Sequence, residues 1–405
     1  MASFHIQPDF LDCIKDVSSG VYSEDTFFIN VEPSANQVDE YRVKVTLNGN
    51  AVHFDAGEGN LFERLSDQTF SACLDGKRCE FRTPKYDLTQ TSTESLGPNF
   101  SSADSYKSCG NTKYVVGDSF GRLGIFDDRQ RLVLAVQGHY ADVNTVRFFP
   151  SGQVVLSGSA DMQLKIWSAT DGHCARTLRG HRGPVTATAI VDRGRNIMSS
   201  SSDGTVKLWE CASGDTVHTY ARDSSPSDAI NTMVMQDSGA GQHEAESHQQ
   251  EFGTAGKSVL AGHDSGVISK YDIYTKNCVL ETSNQFMSSC RAMALSDSPS
   301  DPYSVYAGYA NGILANWDLR NPSKAVHHLS GTNDSEVTAV HVQEGQLFVS
   351  FEQSSAVCFD INPRLGPFED STYLVSGTNR ISAFAASKEA SETISVGSEG
   401  FCAVY

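Results

Sequence analysis

Hydrophobic and polar residues alternate along most of this chain in short runs, each closed by small or polar residues. In "SSSSDGTVKLWE" (199–210), a small-residue stretch meets an Asp-Gly pair, and apolar and polar residues then alternate up to Trp209. Period-two alternation bounded by Gly, Asp and Ser predicts strand, tight turn and strand. Six further stretches share the pattern: "YVVGDSFGRLGIFD" (114–127), "VVLSGSADMQLKIWS" (154–168), "SVLAGHDSGVISKYD" (258–272), "SVYAGYANGILANWD" (304–318), "LFVSFEQSSAVCFD" (347–360) and "TISVGSEGFCAVY" (393–405). Their closing aromatics are Phe126, Trp167, Trp209, Tyr271, Trp317, Phe359 and Tyr405, spaced by 41, 42, 62, 46, 42 and 46 residues. Self-similarity at a fixed period is the mark of a repeat architecture, in which one unit cannot bury its apolar faces alone.

The period, with His139 and His181 of two Gly-His pairs each 28 residues ahead of Trp167 and Trp209, resembles the WD40-repeat family over residues 86–405. That resemblance implies an all-β fold: a seven-bladed WD40 β-propeller with a small β-rich N-terminal domain. It also carries the family's hydrogen-bonded tetrad onto His139, Ser157, Asp161 and Trp167, and onto His181, Ser199, Asp203 and Trp209. A buried indole N–H and imidazole need partners, which a hydroxyl and a carboxylate supply. The remaining repeats have Asn311, Gln353 and Glu399 at the Asp position, so apolar packing is expected to hold those blades.

The last unit stops after its third strand, and a strand borrowed from within residues 78–98 is expected to cover its edge. The 62-residue spacing marks an insertion at about 237–256 in blade four, between inner strand "AINTMVMQ" and "KSVLAGH", whose polar composition predicts a mobile loop. Its His243 and His248 lack the partners a metal site needs. Residues 1–85 contain strand-like runs punctuated at "NGN" and "DGK" and are expected to form a small β-rich N-terminal domain or a cap on the ring.

Composition narrows the function. Forty-nine acidic against 31 basic residues give a formal charge of −18, which disfavours nucleic acid and acidic membranes. The ten cysteines form no C-x2-C pair and no zinc spacing, and Cys358 and Cys402 sit in apolar strands as small hydrophobes would. No secretory leader or membrane-length apolar run is read, and the sequons at Asn99 and Asn333 are taken as chance. The reading is of a soluble, monomeric cytoplasmic or nuclear protein without metal or cofactor.

Catalytic motifs are absent. "GSADM" and "SSSDG" lack the elbow of a serine hydrolase, and the tetrads account for their Ser, His and Asp. "GSADMQLK" and "GTAGKS" only graze a phosphate-loop pattern, and the Asp127-Asp128 pair reads as a solvated turn. Binding through loops on a rigid scaffold is the remaining class. Asp142 and Glu336 occupy one repeat position, just ahead of the first Val of an inner strand, and are the candidate partner contacts.

Words outside the common repeat go further: "HIQPDF" (5–10), "FFPSG" (148–152), "VDRGRN" (191–196), "LWECASG" (208–214), "EFGTAGK" (251–257), "YAGYANGILANWDLR" (306–320) and "FCAVY" (401–405). In this order they resemble the proteasomal ATPase-associated factor family of regulatory-particle non-ATPase chaperones. The resemblance implies a non-enzymatic assembly chaperone of the 26S proteasome 19S base. It would bind the C-terminal domain of the sixth regulatory-particle triple-A ATPase through an acidic propeller surface, beside other base-assembly chaperones. A competing reading rests on "NWDLR" (316–320), which resembles the W-D-x-R motif of cullin-4 ubiquitin ligase receptors and would make Arg320 a docking residue.

Overall fold

The computed structural model describes residues 3–34, 37–49, 51–87, 96–108, 111–127, 129, 131–238, 250–331, 335–352, 356–361, 368, 371–377, 379–386 and 392–405. Among them the repeats form seven sheet units whose innermost strands are Phe100–Ser108, Thr145–Phe148, Val185–Val191, Ile230–Asp237, Cys290–Leu295, Val337–Gln343 and Ile381–Ala386. Each innermost strand packs against that of the next unit, and the seventh packs against the first, so the ring is closed.

The second strand of a blade is covered on both faces by its neighbours. In Asn196–Ser201, Ser304–Tyr309 and Thr393–Gly397 every residue is buried, which is why these runs are rich in small and apolar residues. The closing aromatics are all buried, and each is lodged in the apolar side of the preceding blade. Trp167 packs with Val115 and Leu123, Trp209 with Leu156 and Leu164, Tyr271 with Met198 and Leu208, and Trp317 with Leu260 and Ile268. Phe359 packs with Tyr306 and Leu314, Tyr405 with Phe348 and Cys358, and Phe126 of blade one with Val396 and Val404 of blade seven. The repeat period is therefore the interval between wedges that join one sheet to the next.

Blade seven takes its outer strand from upstream. Tyr86–Asp87 pairs antiparallel with Cys402–Val404, and the Lys85 N–H donates to the Val404 carbonyl at 2.7 Å. The side chain of Lys85 forms an ion pair with Glu392 on the same blade. An open edge is thereby covered by a segment lying between the N-terminal region and blade one.

The N-terminal region contains a helix in addition to the strands that alternation suggests. Beside the sheet Ser3–Ile6, Glu24–Ser34, Gln37–Asn48 and Ala51–Asp55 lies a helix, Phe10–Ser18. Its buried residues Phe10, Cys13, Ile14 and Val17 follow helical spacing. The strands Leu61–Arg64, Thr69–Leu74 and Lys77–Arg82 extend blade six, with Lys77–Arg82 parallel to Ser371–Leu374 and Phe81 opposite Tyr373. One apolar cluster accordingly runs from Phe10, Phe27 and Phe70 through Phe81 and Tyr373 to Val349 and Phe359. The Phe10 and Phe70 rings meet edge to face at 5.1 Å.

Residues 239–249 of the insertion, with His243 and His248, lie outside the described residues, as do Asp128, Asn333 and Gln353. The end of the insertion is docked and not loose. Asn196 donates to the Gln250 carbonyl at 2.9 Å and accepts from the Phe252 N–H at 2.6 Å. The Arg195 guanidinium lies 3.3 Å from the Phe252 ring centre, and buried Glu251 meets Lys276 at 2.5 Å. These contacts tie the segment back onto blades three and four.

Because residues 1–98 supply both the strand closing blade seven and the three strands that extend blade six, their removal is expected to lower the thermal midpoint by at least about 10 °C. A circular-dichroism melt checks this, and an unchanged midpoint contradicts it.

Candidate partner-binding face

Successive strands in a blade run antiparallel, so its loops fall at two ends. Turns between the second and third strands, and the connections to the next blade, lie at one end, the connection face. The other turns lie at the opposite end, the turn face. Both tetrads, Asp142 and Glu336 belong to the connection face, whereas Arg320 belongs to the turn face.

In each strong repeat the tetrad residues meet. His139 Nδ1 is 2.9 Å from Asp161 and Nε2 is 2.7 Å from the Ser157 hydroxyl, to which the Trp167 indole donates at 2.8 Å. In the next blade His181 lies 2.9 Å from Asp203 and 2.8 Å from Ser199, and Trp209 donates to Ser199 at 2.8 Å. One proton order satisfies each set: indole to serine, serine to imidazole Nε2, and imidazole Nδ1–H to carboxylate. The same carboxylates accept backbone N–H groups of Tyr140 and Gln163, or of Arg182 and Thr205. A tetrad thus joins a blade connection to a turn of the blade that follows it. The serines are fully buried and already use their hydroxyls, so neither Ser-His-Asp set presents a nucleophile.

Burial would raise the Asp203 carboxyl, but hydrogen bonds from His181, Thr205 and the Arg182 N–H hold it well below the usual carboxylate range. Asp161 is lowered against the same desolvation by His139 and by backbone donors. The His139 imidazole is lowered by burial, which outweighs the opposing pull of Asp161.

Blade four combines its apolar packing with a polar network of its own. His263 Nε2 is 2.7 Å from Ser269, and its Nδ1 is 3.2 Å from the Asp228 carbonyl. Buried Arg222 meets Asp228 at 2.5 Å and grips Glu281 with two bonds of 3.1 and 3.0 Å. In blade five the Trp317 indole donates to the Tyr309 hydroxyl at 3.0 Å in place of a serine. The indole and imidazole keep polar partners, but other repeat positions supply them.

Side-chain clasps join several pairs of neighbouring blades where the inner strands begin on the connection face. Ser101 donates to the Val143 carbonyl at 2.7 Å and Asn144 to the Val185 carbonyl at 2.8 Å. Asn231 donates to the Cys290 carbonyl at 3.2 Å and Thr338 to the Ile381 carbonyl at 3.1 Å. Each clasp crosses to the next blade from the second residue of an inner strand or its equivalent. At that position in blade five stands Arg291, which instead pairs with Glu336 of blade six at 3.0 Å. A shallow cavity of about 330 Å³ opens there, lined by Asn144, Asn231, Arg291, Glu336 and Arg380 among others.

The two candidate contacts therefore differ. The carbonyls of Asp142 and Glu336 accept equivalent bonds, from Ala160 and Glu352, each at 2.9 Å. The side chain of Glu336 is half-buried against Arg291, whereas Asp142 is exposed. Beside Asp142 stands Tyr140 at 92% exposure, with Phe120 at 55% on the adjoining turn and Met287 at 85% farther round the same face. Repeat alignment missed these three because it discards what varies between units. The tyrosine immediately after a tetrad histidine was nevertheless a visible signal.

Arg320, on the other face, donates to both oxygens of Asp318 at 2.9, 3.1 and 2.8 Å and lies 5.0 Å from the Tyr303 ring centre. Its guanidinium is exposed and forms an ion pair within the chain. Among the described residues no cluster of three or more His, Cys, Asp or Glu is placed to hold a metal ion, and the nine described cysteines are free thiols. No helix there is long and apolar enough to cross a membrane.

A closed ring of seven sheet units, two with complete His–Ser–Trp–Asp tetrads, is a WD40 propeller, and the family described as "WD domain, G-beta repeat" matches residues 130–168 and 172–210. Over almost its whole length the chain is similar to the 26S proteasome regulatory subunit RPN14 of Saccharomyces cerevisiae, with 35% identity over 416 residues, 99% of this chain and 97% of the relative. The chain belongs to the RPN14 family. Shorter stretches are similar to periodic tryptophan protein 2. The identity is 38% over 55 residues with the Dictyostelium discoideum homologue, 13% of this chain and 6% of that protein. With the Saccharomyces cerevisiae protein it is 31% over 92 residues, 22% of this chain and 10% of that one.

Two outcomes test the tetrads. Ser199→Ala strands the buried indole and imidazole and is expected to cost about 1–3 kcal/mol in urea denaturation. Carboxyls lowered in the folded state give stability that is present above the unfolded Asp value of about 3.9 and is lost as pH falls below it. The wild-type urea midpoint should therefore fall in acid. The Asp161→Asn, Asp203→Asn double variant should be weaker at neutral pH yet show a shallower acid slope.

Proposed function

We propose that this protein is a non-enzymatic assembly chaperone of the 26S proteasome regulatory-particle base, acting in the cytoplasm or nucleus as a monomer. The observation that carries this reading is the end-to-end similarity to RPN14, which includes the N-terminal region as well as the blades. Its partner on this reading is the C-terminal domain of a proteasomal ATPase subunit, the sixth of the triple-A set, held during assembly with other base chaperones.

The connection face suits that task. It carries exposed aromatic and thioether side chains, Tyr140, Phe120 and Met287, which bury large area at modest conformational cost. Exposed Asp142 beside them, within a chain of charge −18, would steer a basic domain onto the same spot. Glu336, already engaged by Arg291, would contribute less. The clasps and tetrads hold the loop bases rigid, so little ordering would be needed on binding.

Calorimetry with the purified ATPase C-terminal domain tests the reading. Tyr140→Ala and Asp142→Lys are each expected to weaken binding by about tenfold or more, and Glu336→Gln by less than about threefold. Raising salt from about 0.05 to 0.5 M should slow association markedly. No binding of the domain by the wild-type protein at low salt would overturn the proposal.

A further inference from the structure

On the turn face, beside the Arg320–Asp318 pair, blades five and six line a cavity of about 440 Å³. Three carboxylates line it: Asp297 and Asp301 from the first turn of blade five, and Asp318 from the end of its third strand. Asp297 accepts one bond, from the Gly345 N–H at 3.2 Å, and Asp301 accepts one from the Ser304 hydroxyl at 2.5 Å. Arg320, which also lines the cavity, pairs with Asp318 and is held charged by Asp301 as well, so the three carboxylates outnumber the one guanidinium among them. Burial, aided by the Asp301 and Asp297 charges, pushes the Tyr306 phenol in the same wall up to about 12.

The cavity also contains an acceptor without a donor. Asn316 is 8% exposed, lines the cavity, and its buried carboxamide oxygen has no hydrogen-bond partner. A buried unpaired acceptor costs free energy that a donor entering the cavity would recover. A simple metal ion does not fit, because no three acidic, His or Cys groups among the described residues converge at ion-binding distance. Separated acceptors call for a cation with several donors held apart. The hydroxyls of Ser296, Ser298 and Ser300 lie around the same cavity, within reach of a peptide backbone.

We propose that this cavity receives an arginine side chain from a basic segment of a partner protein. The planar guanidinium would lie between Asp297 and Asp301 and donate to the Asn316 carboxamide. Its five donors in a fixed fork match separated oxygens in a way that a lysine ammonium does not. The assignment is independent of the connection-face function, since it concerns the opposite end of the blades.

The test uses the full chain and a fluorescein-labelled glycine-serine nonapeptide with one central arginine, read by fluorescence anisotropy. Replacing arginine by citrulline, which keeps the shape and removes the charge, should weaken binding by about tenfold or more, and lysine should also bind more weakly. The Asp297→Asn, Asp301→Asn double variant should lose binding to a similar degree, while Asp142→Asn on the other face leaves it unchanged. Free L-arginine should compete far less well than the peptide. A benzophenone placed beside the arginine should crosslink the wild-type protein within residues 296–304 or 318–327, a readout that does not depend on any variant folding. Absent peptide binding, equal binding of citrulline or lysine, indifference to the double variant, equal competition by free arginine, or crosslinks elsewhere would each overturn the assignment.

Discussion

Everything in this molecule depends on the burial of one large aromatic per blade in the blade before it. A four-stranded sheet has two faces and two edges, and none of these units could keep its apolar faces from water alone. Trp209 sits among Leu156 and Leu164, Trp317 among Leu260 and Ile268, and Phe126 among Val396 and Val404. The last of these contacts turns a stack into a ring, because it ties blade one to blade seven. Ring closure also demands a partner for the outer edge of blade seven, which the Tyr86–Asp87 strand provides.

The polar networks have a different task. Two tetrads, the Arg222–Asp228–Glu281 network and the clasps where inner strands begin all bridge segments that apolar wedges do not reach, at the ends of the strands. Buried polar groups are stable there because each has a partner, and their directionality fixes loop positions more narrowly than packing does. The result is a rigid face on which a few exposed side chains, Tyr140 and Asp142 foremost, stand at fixed positions. Asn316 on the opposite face is one of several buried polar groups whose bonding capacity is not met within the chain, and it differs from the others in lining a cavity with carboxylates.

Much of this was legible in the chain. Alternation located the strands, the aromatic spacing counted the blades, and the Gly-His pairs located both complete tetrads. The helix Phe10–Ser18 was not legible because nine residues between strand-like runs give a weak helical signal. The polar substitutes in blades four and five were missed for a related reason. His263 and Tyr309 stand on second strands two residues beyond the place where the complete tetrads carry serine, a place held in these blades by Ala261 and Ala307.

The sequence alone determined which residues alternate, repeat and close each unit, because strand formation and burial pattern are local properties read at a period of two. Which segments pair across long separations was decided only by the tertiary structure. Parallel pairing of Lys77–Arg82 with Ser371–Leu374 joins strands about three hundred residues apart and merges the N-terminal region with blade six. The same holds for the pairing of Arg291 with Glu336, which separates that carboxylate from its repeat equivalent Asp142. Such contacts leave no periodic trace, since they arise from the closure of the ring and from which neighbour each blade then meets.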